Sequence, residues 1–314
     1  MKTSTEHLHL YNVNGATMGT RYTARFYGAE NLDTTAIEAT LFAAVDQVDR
    51  QMSSWKSDSE LMRLNAAPVD TWQNVPQELH QVLEAGLAVE SASGGAFDMA
   101  VGDLVNAWGF GAACQEPEAA SIKRLMQGAH TPASRALELD TGRVRKHAPI
   151  TLDLAGIAKG FGVDQLARCL DGFGIDRYLV GIDGEMRARG LKPDGEPWDI
   201  AVERPERGLR SVMGVLALTD AAVATSGDYR HCVTVGRDCL SHTMHGASRG
   251  PVRNHLAQVT VVMADCMQAD AWATALMAAG ETTGPALAQQ QGLNALFILR
   301  EASGLREIAV GSLF

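Results

Sequence analysis

Cysteine is scarce: five in 314 residues, an odd number with no Cys-x-x-Cys pair, which excludes a disulfide scaffold. No His/Cys cluster has zinc spacing, so a structural zinc is not expected. Long apolar runs are missing too, and none approaches the ~18 residues of a membrane span. The first twenty residues hold neither the apolar stretch of a secretion signal nor a cysteine placed for a lipid anchor. Positive charge is in deficit, 27 Lys and Arg against 37 Asp and Glu, net -10, which argues against nucleic-acid binding by phosphate neutralisation. An acidic chain still holds an anion where a few cations, backbone amides or a metal converge. Walker and G-x-G-x-x-G motifs are absent. These absences give the expectation of a soluble, cytoplasmic chain, or a periplasmic one if a leader has been trimmed from it.

What is there is ordinary globular material. At 46% hydrophobic and 20% charged residues there is enough apolar content for a core and too little charge for global disorder. The length suggests two units or one domain with two lobes. Residues 20–27, TRYTARFY, alternate at period two and predict a strand. Residues 35–52 place Ile37, Leu41, Ala44, Val45, Val48 and Met52 on one face, which predicts an amphipathic helix. A second helix runs over about 76–92, opened by Pro76 and ended by the Ser-Gly-Gly at 93–95. Residues 112–136 suggest a short surface helix with loops, and 137–140 and 143–146 a hairpin. A strand ending in Asp153, a helix over 157–173 and a strand over 177–182 follow. The β-rich stretch from 198 to 262 offers WDIAVERP, VMGVLALTD, AAVAT, HCVTVG and LAQVTVVM as strands. A helix over 267–279 closes at Gly280, and ALFILR and REIAVG form a last strand pair. The pattern is α+β, with mixed or antiparallel sheets flanked by helices. No linker interrupts it, so residues 1–314 read as a single domain with lobes of roughly 1–150 and 151–314.

Four blocks carry possible chemistry. In 151–164, TLDLAGIAKGFGVD, Ala155 and Gly156 let backbone approach a ligand, the helix N-terminus favours phosphate and Lys159 adds a cation. The plain alternative is a capping Asp153 and a solvated Lys159. In 265–275, DCMQADAWATA, Asp270 and Thr274 lie four apart on one helical face. A carboxylate and a hydroxyl on adjacent turns suit an oxygen-ligated Mg2+ that also takes phosphate oxygens. They equally suit an Asp favoured by the helix dipole and a packing Thr. Residues 223–252 carry the turn VATSGDYR and two histidines, His242 and His245, fit for acid–base work, ligation or mere exposure. Met18, Met52 to Trp55 and Phe97–Asp98 offer surface that would cover a flat ring system or simply build a core.

Taken in order, these pieces resemble the ApbE family, the FAD:protein FMN transferases. The resemblance rests on G-A-T-M-G-T-R-Y at 15–22, M-S-S-W-K-S-D-S-E-L-M-R-L-N at 52–65, G-G-A-F-D at 94–98 and L-V-N-A-W-G-F-G at 104–111. It continues through D-L-A-G-I-A-K-G-F-G-V-D at 153–164, A-T-S-G-D-Y-R at 224–230, S-H at 241–242 and A-D-A-W-A-T-A-L at 269–276. It implies two closely packed lobes with the flavin between them. It implies Mg2+-dependent cleavage of FAD, in which FMN is joined through its phosphate to a Thr or Ser of an acceptor protein and AMP leaves. It also implies FAD contacts from Met18, Trp55, Asn65, Ala96, Phe97, Asp98, Asp153 and Lys159, with Thr225 and Ser226 beside the flavin. The Mg2+ ligands it implies are the Gly156 carbonyl and the side chains of Asp270 and Thr274. His242 stands where the family has a histidine that helps in transfer.

The sequence departs from the family pattern at one loop. After Ser241–His242 the family usually has two apolar residues and then D-P-x-T-G, whereas here the order is T-M-H-G-A-S-R-G-P. His245 replaces the acid and Gly246 the proline, a change expected to loosen the loop. Asp183–Gly184 stands for the usual Gly-Gly, and Met99 for a proline. The altered loop keeps a second expectation open: a divergent FAD-binding protein, or an FAD pyrophosphatase giving FMN and AMP, without protein flavinylation.

Overall fold

The computed structural model describes residues 8–112, 116–206, 208, 211–229, 232–235 and 238–314. The first part supplies β1 (Leu8–Thr17), β2 (Thr20–Ala29), α1 (Thr35–Met52), α2 (Glu60–Ala66), β3 (Gln73–Asn74) and α3 (Gln77–Ala92). Next come α4 (Gly102–Ala107), α5 (Ala119–Gln127), α6 (Ala133–Ala136), β4 (Leu137–Asp140), β5 (Arg143–Lys146) and α7 (Ala158–Gly172). The second part adds β6 (Tyr178–Ile182), β7 (Glu185–Arg189), β8 (Trp198–Glu203), β9 (Val212–Leu218), β10 (Ala222–Gly227), β11 (Cys232–Val235) and β12 (Asp238–Ser241). It ends with β13 (Met244–His245), β14 (Gly250–Pro251), β15 (Leu256–Met263), α8 (Cys266–Gln290), β16 (Asn294–Glu301) and β17 (Gly304–Val310). Of the anticipated HCVTVG strand, His231 and Gly236 lie outside the described residues, as do residues 113–115 of the 112–136 stretch and Arg230 of the A-T-S-G-D-Y-R motif.

One 8-stranded sheet organises the molecule in the order β1-β2-β6-β7-β10-β15-β16-β17. Every neighbouring pair in it is antiparallel. The sheet crosses residue 150, because the N-terminal hairpin β1–β2 pairs with β6, Tyr22 opposite Ile182 and Phe26 opposite Tyr178. Helices α1, α7 and α8 cover one face and the β8–β9 ribbon the other. Along β10 the alternation of a strand separates these layers. Ala222 and Ala224 join the helix-side cores, while Val223 packs with Trp198, Leu216 and Val262 on the ribbon side. On the helix side, Ile37, Leu41 and Val45 of α1 share a core with Val163, Leu166 and Leu170 of α7. Fully burying each such side chain is worth about 1.5–3 kcal/mol.

The N-terminus of α8 is fixed from α7. The buried Asp164 carboxylate accepts the amides of Cys266 (3.0 Å) and Met267 (2.9 Å) and pairs with Arg187 (2.5 Å). These are amides a helix start leaves unpartnered. Asp265 adds the ordinary N-cap by accepting from Gln268 N at 3.0 Å.

Two local expectations are corrected. Residues 151–153 form no strand but an extended segment, because the Asn65 side chain takes both backbone groups of Leu152, donating to its carbonyl (2.9 Å) and accepting its amide (2.8 Å). Gly280 does not end the helix. It breaks α8 at φ 81° and ψ 178°, and a second helical segment runs on to Gln290. No helix among the described residues is long and apolar enough to cross a membrane.

Candidate functional site

The loop before α7 meets the middle of α8. Gly156 lies so close to Thr274 that a Cβ there would stand 2.9 Å from its Oγ1, a contact only glycine permits. From β10, Ser226 Oγ reaches the same Thr274 Oγ1 at 3.2 Å. One helical turn earlier Asp270, 3% exposed, accepts the Gly160 amide at 2.9 Å in the first turn of α7. Residues 156 and 226 thus meet at Thr274, and Asp270 stands one helical turn before it, so three separate elements bring the four residues together.

The charges around this cluster are unbalanced. Lys159 Nζ donates to Glu185 Oε1 at 2.7 Å, while Glu185 Oε2 is buried with no hydrogen-bond partner among the described residues. Burial, and then the neighbouring Glu185 charge, push the Asp270 carboxyl up to about 7. Burial likewise raises Glu185. Burial opposes the Lys159 charge, but Glu185, Asp270 and Asp183 outweigh it and hold the ammonium above its ordinary value. Two buried carboxylates share one ammonium, and one carboxylate oxygen stands orphaned. A hard dication with oxygen preference fits this donor set.

The remaining sequence candidates surround this centre with differing roles. Met18 heads the β1–β2 turn with Gly19, both at positive φ (47° and 72°), the geometry of a two-residue hairpin turn. A methionine there is unusual enough to suggest a functional constraint. Trp55 is 60% exposed beside the Ser53 turn. Asp153 accepts the Ala155 amide at 2.9 Å, and burial raises its carboxyl. Thr225 turns to the opposite face of the sheet from Ser226 and bonds Thr260 Oγ1 at 2.9 Å. Three candidates have their functional atoms engaged inside the protein. The Asn65 amide clamps Leu152, Phe97 is a core side chain at 4% exposure, and Asp98 accepts from the Ala100 (2.8 Å) and Ala133 (3.1 Å) amides and pairs with His130. Ala96 leads into that segment. His242, part-buried, lies with its ring 6.4 Å from that of Phe110.

Sequence reasoning missed Glu185, Asp164 and His130. Glu185 is an acid opening a strand that leaves the buried β6, and it faces inward at 1% exposure. Its only signal was an acidic residue directly after the Asp183–Gly184 turn.

Fold and site together define an α/β protein whose helices and antiparallel sheet bring Gly156, Ser226, Asp270 and Thr274 together. A sequence model of the ApbE family matches residues 18–297. The FAD:protein FMN transferase of Vibrio cholerae is 34% identical over 309 residues, 98% of this chain and 92% of that one. The protein of that name from Escherichia coli K12 is 29% identical over 300 residues, 94% and 85% of the two chains. Among solved structures, the flavin transferase ApbE of Vibrio cholerae superposes with a TM-score of 0.86 at 33% identity, covering 98% of each chain. The apo flavinyl transferase ApbE of Pseudomonas stutzeri gives 0.85 at 34% identity, covering 96% of this chain and 95% of that one. The chain belongs to the ApbE family.

Proposed function

We propose that this chain is an FAD:protein FMN transferase, moving FMN from FAD to a Thr or Ser hydroxyl of an acceptor protein with release of AMP. The observation that carries the reading is the meeting of Gly156 and Ser226 at Thr274, one helical turn from the buried Asp270, in a member of a family whose relatives bear that name. Mg2+ fits the cluster through the Asp270 carboxylate, the Thr274 hydroxyl and the Gly156 carbonyl, and when bound it supplies Lewis-acid polarisation of pyrophosphate oxygens.

The chain's own residues do the rest by position and charge. Phosphoryl transfer needs little covalent help from protein, so alignment and charge neutralisation dominate. Lys159, kept protonated by its carboxylate neighbours, supplies fixed positive charge at the start of α7. Met18 and Trp55 offer apolar surface for the isoalloxazine ring. Asn65, Phe97 and Asp98, each anchored within the protein, hold the walls of the site. The acceptor hydroxyl attacks the FMN-side phosphorus and loses its proton to His242, and AMP departs.

The altered loop keeps what its usual acid would provide locally. His245 Nδ1 accepts the Ser248 amide at 3.2 Å, as a carboxylate would in such a turn. Incubation with FAD and Mg2+, with and without a small acceptor domain bearing a flavinylation Thr, tests the reading. AMP release together with an acceptor mass gain of one FMN is expected. AMP with unmodified acceptor assigns pyrophosphatase activity instead, and FAD binding without AMP leaves only a flavin-binding role.

A further inference from the structure

We propose that His130 is a positioning residue: bonded to Asp98, it seats the hairpin that follows His242 and so fixes where that histidine stands. The inference rests on the transferase reading for its catalytic consequence, but not for its geometry.

The hairpin β13–β14 pairs Met244 with Pro251 and His245 with Gly250, and its root is tied back by Val252 N donating to Thr243 O at 2.9 Å. His242 is two residues before β13, so any tilt of the hairpin moves it. The tip closes on itself, with Arg249 N donating to His245 O at 2.9 Å. It then rests on the N-terminal half of the chain at several points. Met244 is buried among Val101, Leu104, Trp108 and Leu125. The Arg249 guanidinium donates to the Gly128 carbonyl just past α5. Between these points Gly246 lies flat on the His130–Asp98 pair.

That last contact is the specific one. His130 Nε2 and Asp98 Oδ2 are 2.5 Å apart, with the Asp98 side chain 3% and the His130 side chain 18% exposed. A Cβ on residue 246 would stand 2.5 Å from His130 Nε2 and 2.8 Å from Asp98 Oδ2. The glycine that replaces the family's usual proline is therefore matched to a ring pressed against its backbone. From sequence the replacement reads as loosening; in the fold it lets the hairpin close onto the pair. Asp98 is itself immobile, because its other oxygen holds the Ala100 and Ala133 amides. The charged and titratable neighbours of the pair are His245, on the hairpin, and Glu90, which is anchored to Ser134. His130 thus hands the rigidity of the α4–α6 region to a loop belonging to the other half of the chain.

A double-mutant cycle on the full-length enzyme tests this. His130→Ala is expected to lower kcat for FMN transfer about tenfold or more while KM for FAD stays within about twofold, because alignment and not flavin binding is lost. His130→Gln, which keeps a donor toward Asp98, is expected to recover most of kcat. Gly246→Ala is expected to cost about as much as His130→Ala in the wild-type background and clearly less once the ring is gone, the remainder coming from Asp98 Oδ2, a coupling that neighbours show and distant sites do not. Hydrogen exchange of the 241–251 amides, with no substrate present, gives a readout free of activity: protection falls in His130→Ala. Additive effects in the cycle, or unchanged exchange, overturn the proposal. If wild-type enzyme modifies no acceptor, the transferase reading fails and exchange alone decides whether His130 seats the hairpin.

Discussion

Asp270 is a costly residue for a folded protein to keep. Its carboxyl sits at 3% exposure beside the second buried acid, Glu185, with Lys159 and the Gly160 amide as partial offsets. Asp270→Asn retains the shape and an oxygen to accept the Gly160 amide, and it removes one of the two like charges. The variant is expected to unfold at an equal or higher temperature than wild type, while Mg2+-dependent AMP release from FAD falls by about 100-fold or more, the pattern of a residue kept for chemistry at the expense of stability. Thermal unfolding and an AMP assay on one preparation check both halves. Lowered stability together with lowered turnover would make Asp270 structural. That Asp270 and Thr274 share one face of a helix was legible because four-residue spacing is a local signal. Glu185 and His130 were not legible, because their meaning depends on partners 26 and 32 residues away, Lys159 and Asp98. The same holds for Asn65, whose clamp on Leu152 spans 87 residues.

At the scale of elements, α1, α3, α7 and the β4–β5 hairpin were legible because periodicity and turn residues are written inside each one. The pattern gave no signal for β1. It is an edge strand with polar Asn12 and Asn14, and its support comes from across the hairpin, where Arg25 donates to Asn12 and Arg21 to Asn14. The break in α8 has two supports: Gly280 in a backbone region almost confined to glycine, and Asn254, which donates to the Met277 carbonyl at 2.8 Å. Gly280→Ala is expected to destabilise by about 1–3 kcal/mol, measured by urea unfolding, since the added Cβ makes that conformation strained. A second element-level contact is pH-dependent. His147 bridges Asp70 (2.8 Å) and Glu138 (2.8 Å), tying the 67–72 loop to the β4–β5 sheet, and these hydrogen bonds raise its pKa above the ordinary 6.5. The protonated form is favoured in the fold, so its contribution is full below 6.5 and disappears as pH rises through the elevated value. The difference in Tm between wild type and His147→Gln should therefore be larger at about pH 5.5 than at about pH 8.5, and smaller in high salt because the pair is exposed. Equal differences at both pH values would show that the bridge adds nothing.

Across the whole molecule, the two sequence halves are joined by a continuous sheet. Cutting near residue 150 would strip β6 of its partner β2 and leave α7 without the face of α1. Residues 151–314 expressed alone are expected to aggregate, since β6 would become an open, fully buried-type edge, and light scattering on the fragment checks this. A monodisperse, folded fragment would show that the second half stands by itself. The β2–β6 pairing also sets a schedule. β2 ends at Ala29 and β6 begins only at Tyr178. At synthesis rates of about 5–20 residues per second, the β1–β2 hairpin emerges roughly 7–30 s before the strand that completes it. For that interval the newborn chain carries an unclaimed strand edge and the apolar faces of Tyr22, Ala24 and Phe26, and these are what a holding chaperone would meet first.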